Sequence, residues 1–222
     1  MMEYIFEKVK NSPRYFKFGG VDVIEHDPIS AEFDLDFLLK TIENHLPSHY
    51  FRDLQALNIV HLDEFDTRNV NAVYRDKQFF ITNKQDDVND LIDDIIHEFA
   101  HHLEVMFPEK IYSDQALIKE FQNKRKQLEF ELRSEGYWTK EYDFDNIKFN
   151  LEFDNFLYKR VGRRMLNMVT SGIFIRPYAA VSLREYFATG FEAYYLGQAD
   201  TLQKISPVLY NKINELHNHR DF

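Results

Sequence analysis

The sequence predicts an α+β domain, with a small twisted sheet towards the N-terminus and a mainly helical C-terminal part. Two observations carry this reading. Short alternating or apolar runs bounded by turn residues are concentrated before residue 83, and helix-period patterns dominate from residue 84 onward. The chain has 222 residues, 44% of them hydrophobic, which is enough for one sizeable core or for two small lobes around a cleft. With 21 Phe and 13 Tyr, that core is expected to be rich in rings.

Residues 4–10 alternate in part, and Arg14 to Ile24 reads as a hairpin turning at Gly19-Gly20. Ser30 to Leu46 reads as a helix with Ser30 as N-cap, Pro47 just past its end, and a stripe of Phe33, Phe37, Leu38, Ile42 and Leu46. Leu57 to Leu62 is a short strand, followed by a polar loop over 63–71. Val73 to Thr82 is a tight hairpin around Asp76-Lys77, and its second arm, Phe79 to Thr82, reads either as an edge beside which an extended peptide can lie or as part of a core hairpin.

No Pro or Gly interrupts residues 84–107, where Leu91, Ile92, Ile95, Ile96, Phe99 and Leu103 form a helical stripe. Asp86 or Asp87 supplies the cap and Pro108 ends the run. Residues 113–135 read as a helix closed by Gly136, whose apolar stripe is Leu117, Ile118, Phe121, Leu128 and Leu132. Its charged residues, Lys124, Arg125, Lys126, Glu129, Glu131 and Arg133, read as a solvated face. Residues 143–169 read as mostly helical, with Phe149, Phe153, Phe156, Leu157 and Val161 packed inward. The basic cluster Lys159, Arg160, Arg163 and Arg164 is expected to be solvated or ion-paired. Two further helices follow, Ser182 to Gly197 and 201–218, the latter starting near Pro207.

Inside the long apolar-striped helix stands His97-Glu98-Phe99-Ala100-His101, the pattern H-E-x-x-H. Histidines four apart lie on one helical face about one turn apart, so both imidazoles can bind one Zn²⁺. Glu98 lies beside them, where a carboxylate can take a proton from water activated by the metal. The chain has no cysteine, so a zinc site must be built from His and carboxylate. His102 lies about 100° around the helix from His101 and is expected to pack or face solvent, not to reach the same metal. His26, His61, His217 and His219 read as structural or surface residues.

A catalytic zinc needs a third protein ligand and one position left for water. The segment Ser182-Leu183-Arg184-Glu185-Tyr186-Phe187-Ala188 offers Glu185, a carboxylate among apolar neighbours, which is costly unless paired or bound to metal. The same residues fit a capping box, in which Glu185 would bond the Ser182 backbone N–H. Spacing alone leaves both readings open.

The motif His97 to His102, followed downstream by Tyr178 and by Glu185-Tyr186-Phe187-Ala188, resembles the gluzincin metallopeptidases related to anthrax lethal factor and the clostridial Pro-Pro endopeptidases. The resemblance spans roughly residues 70–196 around the zinc motif. It implies a zincin-like fold, Glu185 as third zinc ligand, and Tyr178, seven residues earlier, as a phenol that stabilises the tetrahedral intermediate. Thr189 stands where relatives often carry a second acid, so a weaker outer shell is expected, with Glu192, Asp93 or Asp94 as substitutes. The relatives' signal peptide and carrier-binding domain are not seen, so a toxin role does not transfer.

The expectation is therefore a single zincin-like domain over 1–222, with an N-terminal α/β part (1–66), a catalytic core (67–197) and a C-terminal helix (198–222). Its activity would be zinc-dependent hydrolysis of peptide or protein substrates, with His97, His101 and Glu185 on Zn²⁺ and Glu98 and Tyr178 as catalytic residues. The alternative is a non-catalytic scaffold or binding protein on the same fold. A net charge of −10 argues against nucleic acid and against an anionic membrane surface. No signal peptide or apolar run of about 20 residues is seen, so a cytoplasmic protein is the simplest expectation, and export without a signal remains open.

Overall fold

The computed structural model describes residues 13–30, 32–68 and 70–219. The alternation at 4–10 lies outside them. The chain forms two compact units, one reaching His102 and the other starting at Leu103.

The N-terminal unit is built on a five-stranded mixed sheet: β1 (Arg14–Phe18), β2 (Val21–Glu25), β3 (Ala56–Ile59), β4 (Ala72–Arg75) and β5 (Gln78–Ile81), in the order β1-β2-β3-β5-β4. The β1–β2 and β4–β5 pairs are antiparallel hairpins, whereas β2–β3 and β3–β5 are parallel. The first hairpin turns at Gly19-Gly20, both at positive φ, as the Gly pair requires. A side chain at Gly19 would collide with the Phe51 ring. Asp76 and Lys77 turn the second hairpin at φ 51° and 62°, and the Lys77 carbonyl accepts the Gln55 N–H at 2.8 Å.

Four local expectations are corrected in this unit. Helix α1 is Leu35–Glu43, capped by Asp34, whose side chain accepts the Phe37 N–H, not by Ser30. Phe37 points to solvent. Residues Asp63–Arg68, read as loop, form the short helix α2. The arm Phe79 to Thr82 is not an edge: β3 pairs with β5 in parallel, which places β4 outermost.

Helix α3 (Val88–Met106) begins at Asp87, whose Oδ1 accepts the N–H groups of Asn89 at 2.6 Å and Asp90 at 3.2 Å. Leu91, Ile95, Phe99 and His102 recur at helical spacing and are fully buried. The Phe99 ring meets Phe79, Phe51 and Phe18 edge-on, with centroids 4.9, 5.1 and 5.7 Å away.

The C-terminal unit contains α4 (Pro108–Tyr112), α5 (Ala116–Ser134), α6 (Leu151–Asn155), a π-helical segment (Phe156–Gly162), α7 (Arg163–Thr170), a 3₁₀ turn (Pro177–Ala180), α8 (Leu183–Tyr195), α9 (Ala199–Ile205) and α10 (Pro207–His217). Residues 143–150 are not helical, Phe149 is exposed, and the last helix is broken at Ser206-Pro207 into α9 and α10.

The charged face expected of α5 is partly wrong, because Lys124 and Arg125 are buried. Lys124 Nζ donates to the carbonyls of Ile173 and Ile205. The Arg125 guanidinium donates to the carbonyls of Ala180 (2.7 Å), Val181 (3.3 Å) and Asp143 (3.2 Å), and lies 3.8 Å from the Phe153 ring centroid. A cation can leave water where carbonyls and ring faces replace its hydration, and both do so here. Burial pushes the Arg125 guanidinium down to about 10, still charged at neutral pH. Glu120 on the same helix caps α10, accepting the N–H groups of Val208 (2.9 Å) and Leu209 (3.0 Å) and the Tyr186 hydroxyl (2.8 Å). Among the described residues no helix is long and apolar enough to cross a membrane.

Candidate metal centre

The spacing of His97 and His101 places them on successive turns of α3, with ring centroids 4.7 Å apart and planes at 86°. His101 is buried and His97 half-buried. Glu98, between them in sequence, is only 3% exposed. His97, His101 and Glu185 each offer one ligand atom, and these atoms lie within 4.8 Å of one another. A set of two imidazoles and one carboxylate suits Zn²⁺ and related divalent ions.

Glu185 stands in the first turn of α8. Ser182 is the N-cap of this helix, its hydroxyl accepting the Glu185 backbone N–H at 3.2 Å. This cap engages the backbone of Glu185, while its carboxylate belongs to the group that could hold a metal ion. Thr189 is buried, and its hydroxyl donates to the Glu185 carbonyl at 2.8 Å. That bond braces the first turns of α8.

Tyr178 lies in the 3₁₀ turn that packs against α8, and is 38% exposed. Two contacts missed in the sequence hold this turn. Arg125 grips its last carbonyl, that of Ala180. Arg176, two residues before Tyr178, forms an ion pair with the buried Glu192 carboxylate of α8. Glu192 was considered as an outer carboxylate for the metal, and part of its charge is engaged by this pair. Helical spacing can place Glu192 on α8, but no local pattern identifies Arg176 as its partner.

Asp94, one turn before His97, accepts a hydrogen bond from Gln85 Nε2 at 2.9 Å. Burial raises its carboxyl to about 6, with the Gln85 bond and the neighbouring His97 opposing that rise. Tyr158, in the π-helical segment, was not singled out in the sequence. Burial raises its phenol to about 12, and the nearby charges of Asp154 and Glu185 add to the effect. Arg184, beside Glu185, faces Glu104 of the last turn of α3 at 3.8 Å, and Glu104 also accepts the Tyr112 hydroxyl.

His102 turns towards the sheet, away from His97 and His101. Its Nε2 lies 2.9 Å from the Arg52 carbonyl and its Nδ1 3.1 Å from the Tyr74 hydroxyl. A carbonyl only accepts, so Nε2 carries the proton and Nδ1 accepts from Tyr74. Burial lowers the imidazole pKa.

Comparison of the chain with protein-family models, with curated proteins and with solved structures returned no match.

Proposed function

We propose that the protein is a zinc-dependent endopeptidase of gluzincin type. The observation that carries this reading is the convergence of one ligand atom each from His97, His101 and Glu185, with the Glu98 carboxylate one residue from the first of them.

In this reading His97, His101 and Glu185 hold the ion. Zinc, when bound, supplies a Lewis acid that polarises the scissile carbonyl and makes water acidic enough to lose a proton near neutral pH. Glu98 accepts that proton as the water attacks and hands it to the departing amine. Tyr178 donates its phenolic O–H to the developing oxyanion, and its partial exposure leaves it open to a bound substrate.

The test is metal analysis of the purified protein, followed by cleavage of a diverse peptide pool by wild type and Glu98→Gln. The expected result is about one zinc per chain in both, from the three-ligand argument, with cleavage by wild type only. Cleavage undiminished in Glu98→Gln would refute the assigned base. A protein that retains no zinc would refute the site.

A further inference from the structure

We propose that His102 is a positioning residue, whose two hydrogen bonds set the rotation and register of α3 on the sheet and thereby aim His97 and His101.

Leu91, Ile95 and Phe99 supply apolar contact on the buried face of α3, and Asp94 adds a hydrogen bond from Gln85 near the start of the helix. Apolar contact is non-directional, so the rotation of α3 on the sheet is set by such polar bonds. His102 lies on that same buried face, three residues after Phe99 and seven after Ile95. Its imidazole bonds two separate elements: the chain leaving the 3₁₀ turn Ser48–Phe51, at the Arg52 carbonyl, and strand β4, at the Tyr74 hydroxyl. The Tyr74 ring also packs edge-on against it, with centroids 5.4 Å apart.

The magnitudes favour a positioning role. A helix rotation of about 20° sweeps a side-chain tip about 6 Å from the axis through about 2 Å. Such a shift breaks both His102 bonds and leaves a buried imidazole without partners. It also displaces the tips of His97 and His101 by a similar distance, whereas metal–ligand distances tolerate only about 0.2 Å. His102 is bonded through the backbone to His101, so its setting passes directly to that ligand. Tyr74 lies on the outermost strand, so the same bond ties the metal-binding helix to the sheet edge.

This inference rests on the metal reading above, and the experiment separates the two. Zinc affinity is measured by chelator competition, the cobalt-substituted protein by its visible bands, and α3 by amide exchange, in Tyr74→Phe, His102→Leu and His102→Gln. His102→Leu is expected to lose about 10- to 100-fold in zinc affinity, to shift the cobalt bands and to exchange faster along α3. Tyr74→Phe, which keeps the ring and removes only the hydroxyl, is expected to weaken zinc several-fold. His102→Gln, whose amide reaches the Arg52 carbonyl, is expected to recover most of the affinity and the wild-type bands, a rescue that mere space-filling would not produce. Folded Tyr74→Phe and His102→Leu with wild-type affinity, bands and exchange would overturn the proposal. If His102→Leu does not fold, unchanged affinity in Tyr74→Phe overturns it alone. If wild type binds no zinc, the metal reading fails, and unchanged α3 exchange in the same variants would separately overturn the register claim.

Discussion

Arg176 donates a charge-assisted hydrogen bond to the buried carboxylate of Glu192, and these two residues bracket the stretch of chain that carries both Tyr178 and Glu185. Glu192 is almost fully buried, whereas Arg176 keeps about a third of its side chain in water. The pair fastens the 3₁₀ turn to the body of α8.

Arg176→Ala is expected to destabilise the C-terminal unit by about 1–2 kcal/mol, the worth of a charged hydrogen bond reduced for the solvent around Arg176. In the proposed enzyme it should lower kcat about tenfold with zinc content intact, because a loosened Tyr178 loses its alignment. Urea denaturation together with steady-state kinetics checks both parts. Zinc loss equal to that of a ligand mutant would instead assign Arg176 to the metal site.

His97→Ala, His101→Ala and Glu185→Ala are each expected to abolish zinc retention, and Glu98→Gln to preserve it. Bound zinc should stabilise the protein by about 2.7 kcal/mol at a free concentration of 100 times Kd. Calorimetry of the wild type with and without chelator measures that difference, which should vanish in the three ligand variants.

Asp94 gives the metal-free protein a pH dependence. Its carboxyl titrates at about 6 in the fold, above its ordinary value of 3.8, so between those values the native state binds more protons than the unfolded chain. Stability from this group is therefore full below about pH 4 and falls as the pH rises through 6, by up to about 3 kcal/mol. Asp94→Asn, which can still accept from Gln85, should flatten the profile over that range relative to wild type. Parallel profiles would exclude Asp94 as the source.

Arg125→Leu strips three carbonyls of their donor and is expected to cost about 3 kcal/mol or more. Arg125→Lys should recover part of this, since an ammonium can still donate but cannot match the planar fork. Equilibrium unfolding of the two variants gives the comparison.

The legible parts of the molecule were those written in short-range patterns. The Gly19-Gly20 and Asp76-Lys77 turns, the long helix with its Asp87 cap, and the Ser182 cap each depend on residues within a few positions of one another. The two motif histidines belong to the same class, because one helix places both. Glu185 is 84 positions beyond His101, and spacing could only nominate it. Sheet order was illegible for a similar reason, since nothing between residues 72 and 82 says which hairpin arm meets β3. Lys124 and Arg125 misled because charge on a helix usually signals water, and their carbonyl partners come from segments up to 81 residues away. The break at Pro207 was half visible: the proline started a helix as expected, but α9 before it closes separately.

Lys124 and Arg125 reach for main-chain oxygens, a group that every amino acid supplies. The turn bearing Tyr178 is thus moored through its peptide units at Ala180 and Val181, and through a side chain at Arg176. Substitution at the partly exposed Tyr178 leaves both holds in place, whereas substitution at Arg176 releases one of them, so freedom to vary within this turn belongs to Tyr178 and not to its neighbours.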